Sequence, residues 1–456
     1  MINIKFVVLL TLVSTLFGCG GTESSKDFKK SHSSSHSLAP TSEEGRLTAF
    51  YGDITRNRIV GIDVKSMTLS SDTSTNGIKP YTVGRADGSK GVLGKLYGVT
   101  RKSPWLEVID VSTREITGTI PLSFTPRSCA YNAVLGLQLV SGVNKPMASL
   151  IDPNSDEVVA TVGRDVLVEP KDFGGSNATG HPAWLTKNIF ALLDREARKI
   201  NLYKVIKAGS RWNVSFLSAL DTPTSVHHFI GKGLDGMDSG ISADDQLNDI
   251  FYVVAEGAVS DNIPPSILKL KLSGNELLID KSVSFDHALT QAAHDSHNKK
   301  TDSVIDPQLE TGGHHATFHP NGKHLYVGSK AGEVLVIDIK KMHIVKRIEA
   351  GEGSGHTLFI PKRNLGVITN HLSPFITIVD TLKHEKIKNL IVSGAAINEE
   401  IMQSHTSFTD SKGDFFYAFA SNNGVFYEVD LSTLEVSRRL KTGGTPVQGC
   451  YTYLNK

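Results

Sequence analysis

The most regular feature of the chain is a short run with apolar residues at alternate positions that ends in an aspartate and is followed by a polar turn and a second strand-like run. It occurs at Arg58–Asp63, Trp105–Asp110, Met147–Asp152, Glu333–Asp338, Phe375–Asp380 and Val425–Asp430. Degenerate copies at 199–205 and 266–272 fill the interval in the middle. Alternation over a few residues between turn-formers marks half-buried strands. Recurrence every ~40–45 residues, with four short strands per unit, marks propeller blades.

The unit 313–351 is the clearest. Residues 315–318 read as an inner strand, His319-Pro-Asn-Gly-Lys as a turn, His324–Ser329 as the second strand, 333–339 as the third and 343–348 as the fourth. Eight such units are counted. The chain enters mid-blade at Arg46-Leu-Thr-Ala-Phe-Tyr, and the strand left over at 446–453 would complete that first blade and close the ring. Closure removes the open sheet edges. The expectation is an all-β, closed β-propeller of four-stranded blades, eight in number, or seven if a degenerate middle copy is an insertion. No helix of note is expected.

Composition supports a folded chain. Of the 456 residues, 39% are hydrophobic and 21% charged, which is not the balance of a disordered protein. The formal net charge of +1 carries no long run of one sign, so neither nucleic acid nor anionic lipid is favoured as a partner. The N-terminus is different. Lys5 precedes an almost wholly apolar run from Phe6 to Phe17, which spans roughly 18 Å as a helix against a hydrocarbon core of about 30 Å. That is a signal-peptide core and not a span. It ends in Leu16-Phe17-Gly18-Cys19, which resembles the lipobox of bacterial lipoproteins; the resemblance implies that Cys19 is lipidated. Residues 19–44, with Ser31-His32-Ser33-Ser34-Ser35-His36, read as a flexible tether, and 45–456 as the propeller domain, with 1–18 the signal peptide. Gly20, where aspartate would retain the protein at the inner membrane, points to the outer membrane facing the periplasm, with lipid contact through the anchor only. Cys129 and Cys450 remain, with no CxxC pair, which excludes a thiolate zinc knuckle.

Pro320-Asn-Gly-Lys-His-Leu-Tyr-Val resembles the YVTN-type repeat of bacterial surface and periplasmic propellers. The resemblance runs over nearly the whole of 45–456 and speaks to fold more than function.

Aligning the inner strands exposes the candidate chemistry. Gly180-His181-Pro-Ala-Trp, Val226-His227-His228-Phe, Gly313-His314-His315-Ala-Thr-Phe, Gly355-His356-Thr-Leu-Phe and Ser404-His405-Thr-Ser-Phe place a histidine at the start of five consecutive inner strands. The other three blades carry Tyr81, Arg127 and Val447 there. Inner strands line the channel, so these positions converge on one mouth. A structural slot would be filled by Leu, Val or Ala without burying imidazole; a lone strand-start histidine is more often a capping residue, and a duplicated repeat can carry one along. Neutral imidazole is the commonest ligand for Zn²⁺ and suits Cu²⁺. The metal-ligand candidates are therefore His181, His227, His228, His314, His315, His356 and His405, with His371, Glu256 and the HxxH pair His294/His297 as additional ligands from loops at the same mouth. Asp194 and Glu196 fall in such loops too. His319, His324, His343 and His384 map to the opposite face as surface turn residues.

This pattern is similar to that of the periplasmic propeller zinc chaperone serving zinc ABC importers, which pairs such strand starts with a histidine-bearing flexible segment; the counterparts here are His181, His227 with His228, His314 with His315, and the tether's His32 and His36. It is also similar to the copper propeller of nitrous-oxide reductase, although the cysteine-rich electron-entry domain of that enzyme is absent. The function expected is a periplasmic metal-binding lipoprotein, zinc foremost and copper the alternative, acting as a monomer in capture or handover with a metal transporter component as partner. Its affinity is expected to fall as pH drops through about 6. A non-catalytic envelope scaffold is one alternative. A copper or haem-type redox propeller is another, weakened by the lack of a CxxCH motif. No GxSxG, P-loop or paired-carboxylate signature supports a hydrolase.

Overall fold

A computed structural model describes residues 46–88, 92–168, 177–230, 249–258, 261, 263–285, 312–394 and 401–454. Cys19, His32 and His36, and the insertion carrying His287, His294 and His297 lie outside these residues. The described chain forms 32 strands, β1 to β32, in eight four-stranded antiparallel sheets. These are blades of one propeller. Blade I consists of β32 (Pro446–Leu454), β1 (Arg46–Asp53), β2 (Arg58–Asp63) and β3 (Thr68–Ser74). Blades II to VIII follow in chain order, four strands each, beginning with the inner strands β4 (Pro80–Arg85), β8 (Pro126–Asn132), β12 (Ala183–Trp184), β16 (Val226–Ile230), β20 (Gly313–Phe318), β24 (Ser354–Ile360) and β28 (Phe408–Thr409). The count of eight and the closure by the C-terminal strand are as the repeat predicts. β32 pairs with β1 from Arg46↔Leu454 to Asp53↔Pro446.

The recurrent aspartate has a local cause. At the end of the third strand its carboxylate accepts backbone N–H groups of the turn that follows: Ser112 and Thr113 on Asp110 at 2.8 Å, Lys340 and Lys341 on Asp338, Leu382 and Lys383 on Asp380. The turn then passes through a left-handed residue (Arg114, Asp156, Met342, Leu434) whose N–H closes on the aspartate's own carbonyl at 2.8 Å. An aspartate side chain that replaces backbone partners in this way is what turns of this kind require.

Neighbouring blades bury their apolar faces against one another. Blades III, IV and V share the largest cluster, with Leu139, Trp184, Phe190, Leu192, Leu202, Phe229 and Leu270 almost fully buried. Phe408, Tyr451 and Tyr51 do the same across the seam between the last blade and the first. Cys129 and Cys450 sit in different blades and remain thiols.

One irregularity recurs in every blade and matters most for function. The inner strand slips register against its neighbour at its first residues: between Pro80 and Thr82, Pro126 and Ser128, Val226 and Phe229, Gly313 and Ala316, and Ser354 and Thr357. In blade I the slip falls opposite Val447, between Gln448 and Pro446. In blades IV and VIII an isolated bridge (Thr179↔Asp194, Gln403↔Ala420) precedes the inner strand by a few residues. The residues bulged or bypassed are Tyr81, Arg127, His181, His227–His228, His314–His315, His356, His405 and Val447.

Candidate metal centre

A bulge aims side chains that a regular strand would send to opposite faces. This explains how both members of His227–His228 and of His314–His315 reach the same mouth. His227 and His228 have ring centroids 5.5 Å apart and lie 4.9 and 5.3 Å from His315. His181 is 5.2 Å from His227. His314 lies 4.0 Å from His315 and 5.2 Å from His371. His315 stacks on His356 at 3.7 Å, and His371 on His405 at 4.0 Å. The seven inner-strand histidines predicted as ligands, with His371, thus form one contiguous group drawn from five blades. The bulged backbone is stitched from blade to blade: His181 N–H donates to the His227 carbonyl and His405 N–H to the Val447 carbonyl, each at 2.9 Å.

Two ligand groups stand out. One nitrogen from each of His314, His315, His371 and His405 lies within 4.8 Å of the others, and the same holds for His227, His228 and His315. Tetrahedral zinc, at about 2.1 Å from each nitrogen, needs separations near 3.4 Å. The 4.8 Å limit is wider than that, so the rings would have to turn toward a bound ion. His315 belongs to both groups.

The ring hydrogen bonds prepare bare nitrogens. His371 Nδ1–H donates to the Gln403 carbonyl at 3.0 Å and leaves Nε2, buried and without a partner. His314 Nδ1–H faces the Ser354 carbonyl at 3.4 Å. His227 Nδ1–H donates to Glu256 Oε1 at 2.9 Å, the carboxylate–histidine arrangement that raises ligand basicity and fixes the tautomer. His228 Nε2 accepts the Ala316 N–H at 3.3 Å and lies 3.4 Å from the Ala316 carbonyl, and its Nδ1 has no partner among the described residues. His181 Nδ1, His405 Nδ1 and both nitrogens of His315 have no partner among the described residues. Each buried polar atom left so costs about 1–3 kcal/mol, and the described fold concentrates these atoms at one mouth.

Burial first, and neighbouring like charges second, hold these rings neutral. Desolvation with Arg127 depresses His181 and His227 well below the usual imidazole value, and desolvation with neighbouring histidines does so for His314, His315 and His405. Desolvation pulls His228 and His371 down to about 4. Neutral imidazole is the ligating form.

The other expected ligands divide. His371, from the loop after β25 (Leu365–Asn370), joins the cluster. Glu256 does so only indirectly: besides His227 it pairs with Arg195 and accepts from Ser225 Oγ at 2.8 Å, so both oxygens are occupied. Asp194 and Glu196 are taken up by Arg164, at 2.7 and 2.6 Å. His294 and His297 lie outside the described residues. On the opposite face the reading of His319 as a surface turn residue is corrected. It is buried, accepts the Asn321 N–H on Nδ1 and donates from Nε2 to the Thr381 carbonyl of the next blade, both at 3.0 Å. It is a strut between blades VI and VII. His343 is exposed, as expected, while His324 and His384 are half-buried, His384 with its Nδ1 on Tyr326 Oη at 2.7 Å.

Sequence reasoning overlooked Arg127 as anything but a gap in the histidine series. It is fully buried within the electrostatic reach of His181, His227 and His228. Only its occupancy of the aligned strand-start position could have flagged it.

Among solved structures the fold has clear counterparts. The dihydro-heme d1 dehydrogenase NirN in complex with DHE is 11% identical with a TM-score of 0.58, over 92% of this chain and 79% of that one. AztD from Citrobacter koseri is 9% identical with a TM-score of 0.53, over 90% and 98%. Sqt1 from Saccharomyces cerevisiae is 10% identical with a TM-score of 0.53, over 91% and 90%. At these identities the likeness establishes the propeller alone. No known family profile and no curated protein sequence matches the chain.

Proposed function

We propose that the mouth of this propeller binds a transition-metal ion, zinc foremost, and that the protein captures or hands over the ion in the bacterial envelope, tethered there through Cys19. The observation that carries the reading is the convergence of eight histidines from five blades, six of them buried and His314 and His405 half-buried, with several ring nitrogens left bare. A cluster of this kind is costly without an ion and complementary to one. His32 and His36 would pass the ion between solvent and funnel, and a metal transporter component is the natural recipient. The likeness in sequence pattern to the propeller zinc chaperone agrees with this, as does the likeness in fold to AztD, one of whose structures is described as apo.

The test is equilibrium dialysis with elemental analysis of the mature protein near pH 7.5. Stoichiometric zinc is expected, and its loss when His315, His356 and His405 are together changed to Ala. No bound transition metal, or unchanged uptake in the triple variant, overturns the proposal. A second reading, a haem-type redox ligand at the same mouth, draws on the fold shared with NirN, which is described in complex with DHE. An absorption spectrum of protein from its native host separates the two, because zinc is colourless. A purely scaffolding propeller would bind its partner equally well with and without chelator.

A further inference from the structure

Arg127 holds, in blade III, the bulge position that His181 holds in blade IV and His227–His228 in blade V. Only 2% of it is exposed, and its Nε and Nη1 have no hydrogen-bond partner among the described residues. A buried guanidinium with unpaired donors is among the more costly groups a fold can carry, and it is normally matched by an anion. None is at hand. Its strongest charged neighbours are Arg195 and Arg101, of its own sign, and the carboxylate within reach, Glu256, is already engaged on both oxygens. Arg101 in turn lies 3.4 Å over the Tyr81 ring, which stands beside His405. Lys330 adds a further cation near His314 and Glu256.

The charge balance then becomes decisive. Imidazoles bring no charge to a metal, so a divalent ion held by histidines alone would add two positive charges to a desolvated mouth whose described residues already count more cations than carboxylates. At low dielectric such repulsion is large. The described residues offer no unoccupied carboxylate there, and an anion from solution would supply the compensating charge.

We propose that Arg127 seats a planar oxyanion of the carboxylate or carbonate type, which caps the histidine-bound metal from the side of blade III as an exogenous ligand. The inference rests on the metal reading of the funnel. The planar fork of guanidinium matches a carboxylate or carbonate through two parallel N–H···O bonds, which a tetrahedral or spherical anion fits less well. The metal then enters and leaves as one half of a ternary complex. Metal and anion each raise the other's affinity by the same factor, and withdrawal of the anion loosens the ion for transfer.

The experiment is calorimetric titration of zinc into the full-length protein in nitrate buffer, alone and with bicarbonate, acetate or phosphate, for the natural chain and for Arg127→Met and Arg127→Lys. The same anions are titrated into zinc-free protein. Bicarbonate or acetate should raise zinc affinity about tenfold in the natural chain, within the usual range for coupled sites. Arg127→Met should abolish the enhancement while still binding zinc, and Arg127→Lys, which keeps the charge but not the fork, should retain a fraction of it. A larger effect of bicarbonate identifies inorganic carbonate as the anion; a larger effect of acetate identifies an organic carboxylate. Zinc affinity indifferent to every oxyanion, or enhanced equally in Arg127→Met, overturns the proposal. If zinc binds in no arm the metal reading fails by itself. The anion seat then stands on uptake by zinc-free protein that Arg127→Met removes, and falls if there is none.

Discussion

At the scale of single residues the funnel depends on partners that orient its rings. Glu256 fixes His227 through Nδ1 and is itself held by Arg195 and Ser225. Changing Glu256→Gln keeps the shape and removes the charge; zinc affinity should fall by about 10–100-fold, the usual cost of losing such an outer partner, as read by competition with a chromophoric chelator. Gly355 offers a complementary test. A Cβ added there would lie 2.2 Å from Nε2 of His371, a buried ring stacked on His405 and hydrogen-bonded to the Gln403 carbonyl. Gly355→Ala should therefore push the ring off that position, lowering the melting temperature and weakening zinc binding about tenfold or more. A variant that binds zinc as the natural chain does would show that His371 is not a ligand.

The pH dependence is also a residue-scale matter, and it departs from what free imidazole suggests. His228 and His371 are held at about 4 by burial, against an unfolded value near 6.5. Below 6.5 the unfolded chain binds protons that the folded chain refuses, so the stabilising contribution of these rings is complete above 6.5 and is lost as pH falls toward 4. The metal-free protein should show a melting temperature that declines steadily over that window; a flat profile would contradict the burial of neutral rings. Proton competition for zinc is displaced in the same direction, so release should centre below pH 6 and not at it.

At the scale of elements, the strands were legible because their causes are local. Period-two alternation, the terminal aspartate and the polar turn are all properties of neighbouring residues, and the hydrogen bonds at Asp110, Asp338 and Asp380 show those causes at work. The bulges were not legible, because a register slip is a relation between two strands and each chain segment by itself reads as regular. The repeated pattern named both His314 and His315 as ligand candidates, but the bulge that brings two adjacent residues to one mouth was not readable from it. The closing strand belongs to this scale as well. β32 supplies the inner strand of blade I along the whole of β1. Deleting residues 446–456 should leave β1 as an uncovered edge and expose Tyr51 and Phe408. The truncated chain should lose cooperative thermal unfolding and aggregate; a truncation that melts like the natural chain would show that the ring does not need its clasp.

At the scale of the whole molecule, five blades contribute histidines to one mouth, so an ion there would tie elements far apart in sequence. A ligand that binds only the folded ring stabilises it by about 2.7 kcal/mol at a hundredfold excess over its Kd. Zinc should raise the melting temperature in proportion to the logarithm of its concentration, and a chelator should reverse the shift. No change on adding zinc would mean that the cluster is not a preformed site.

What the sequence by itself determined is the fold class, the eightfold repeat, the closing strand and the existence of a histidine arc, since each follows from periodicity that short-range physics enforces. What only the tertiary structure decided is which histidines lie together, that Glu256 holds His227 and Arg195, that His319 braces two blades, and that Arg127 stands buried with two donors unpaired among the described residues. Those outcomes depend on distances between strands that are dozens to hundreds of residues apart, and on the register slips that turn their side chains toward a common centre.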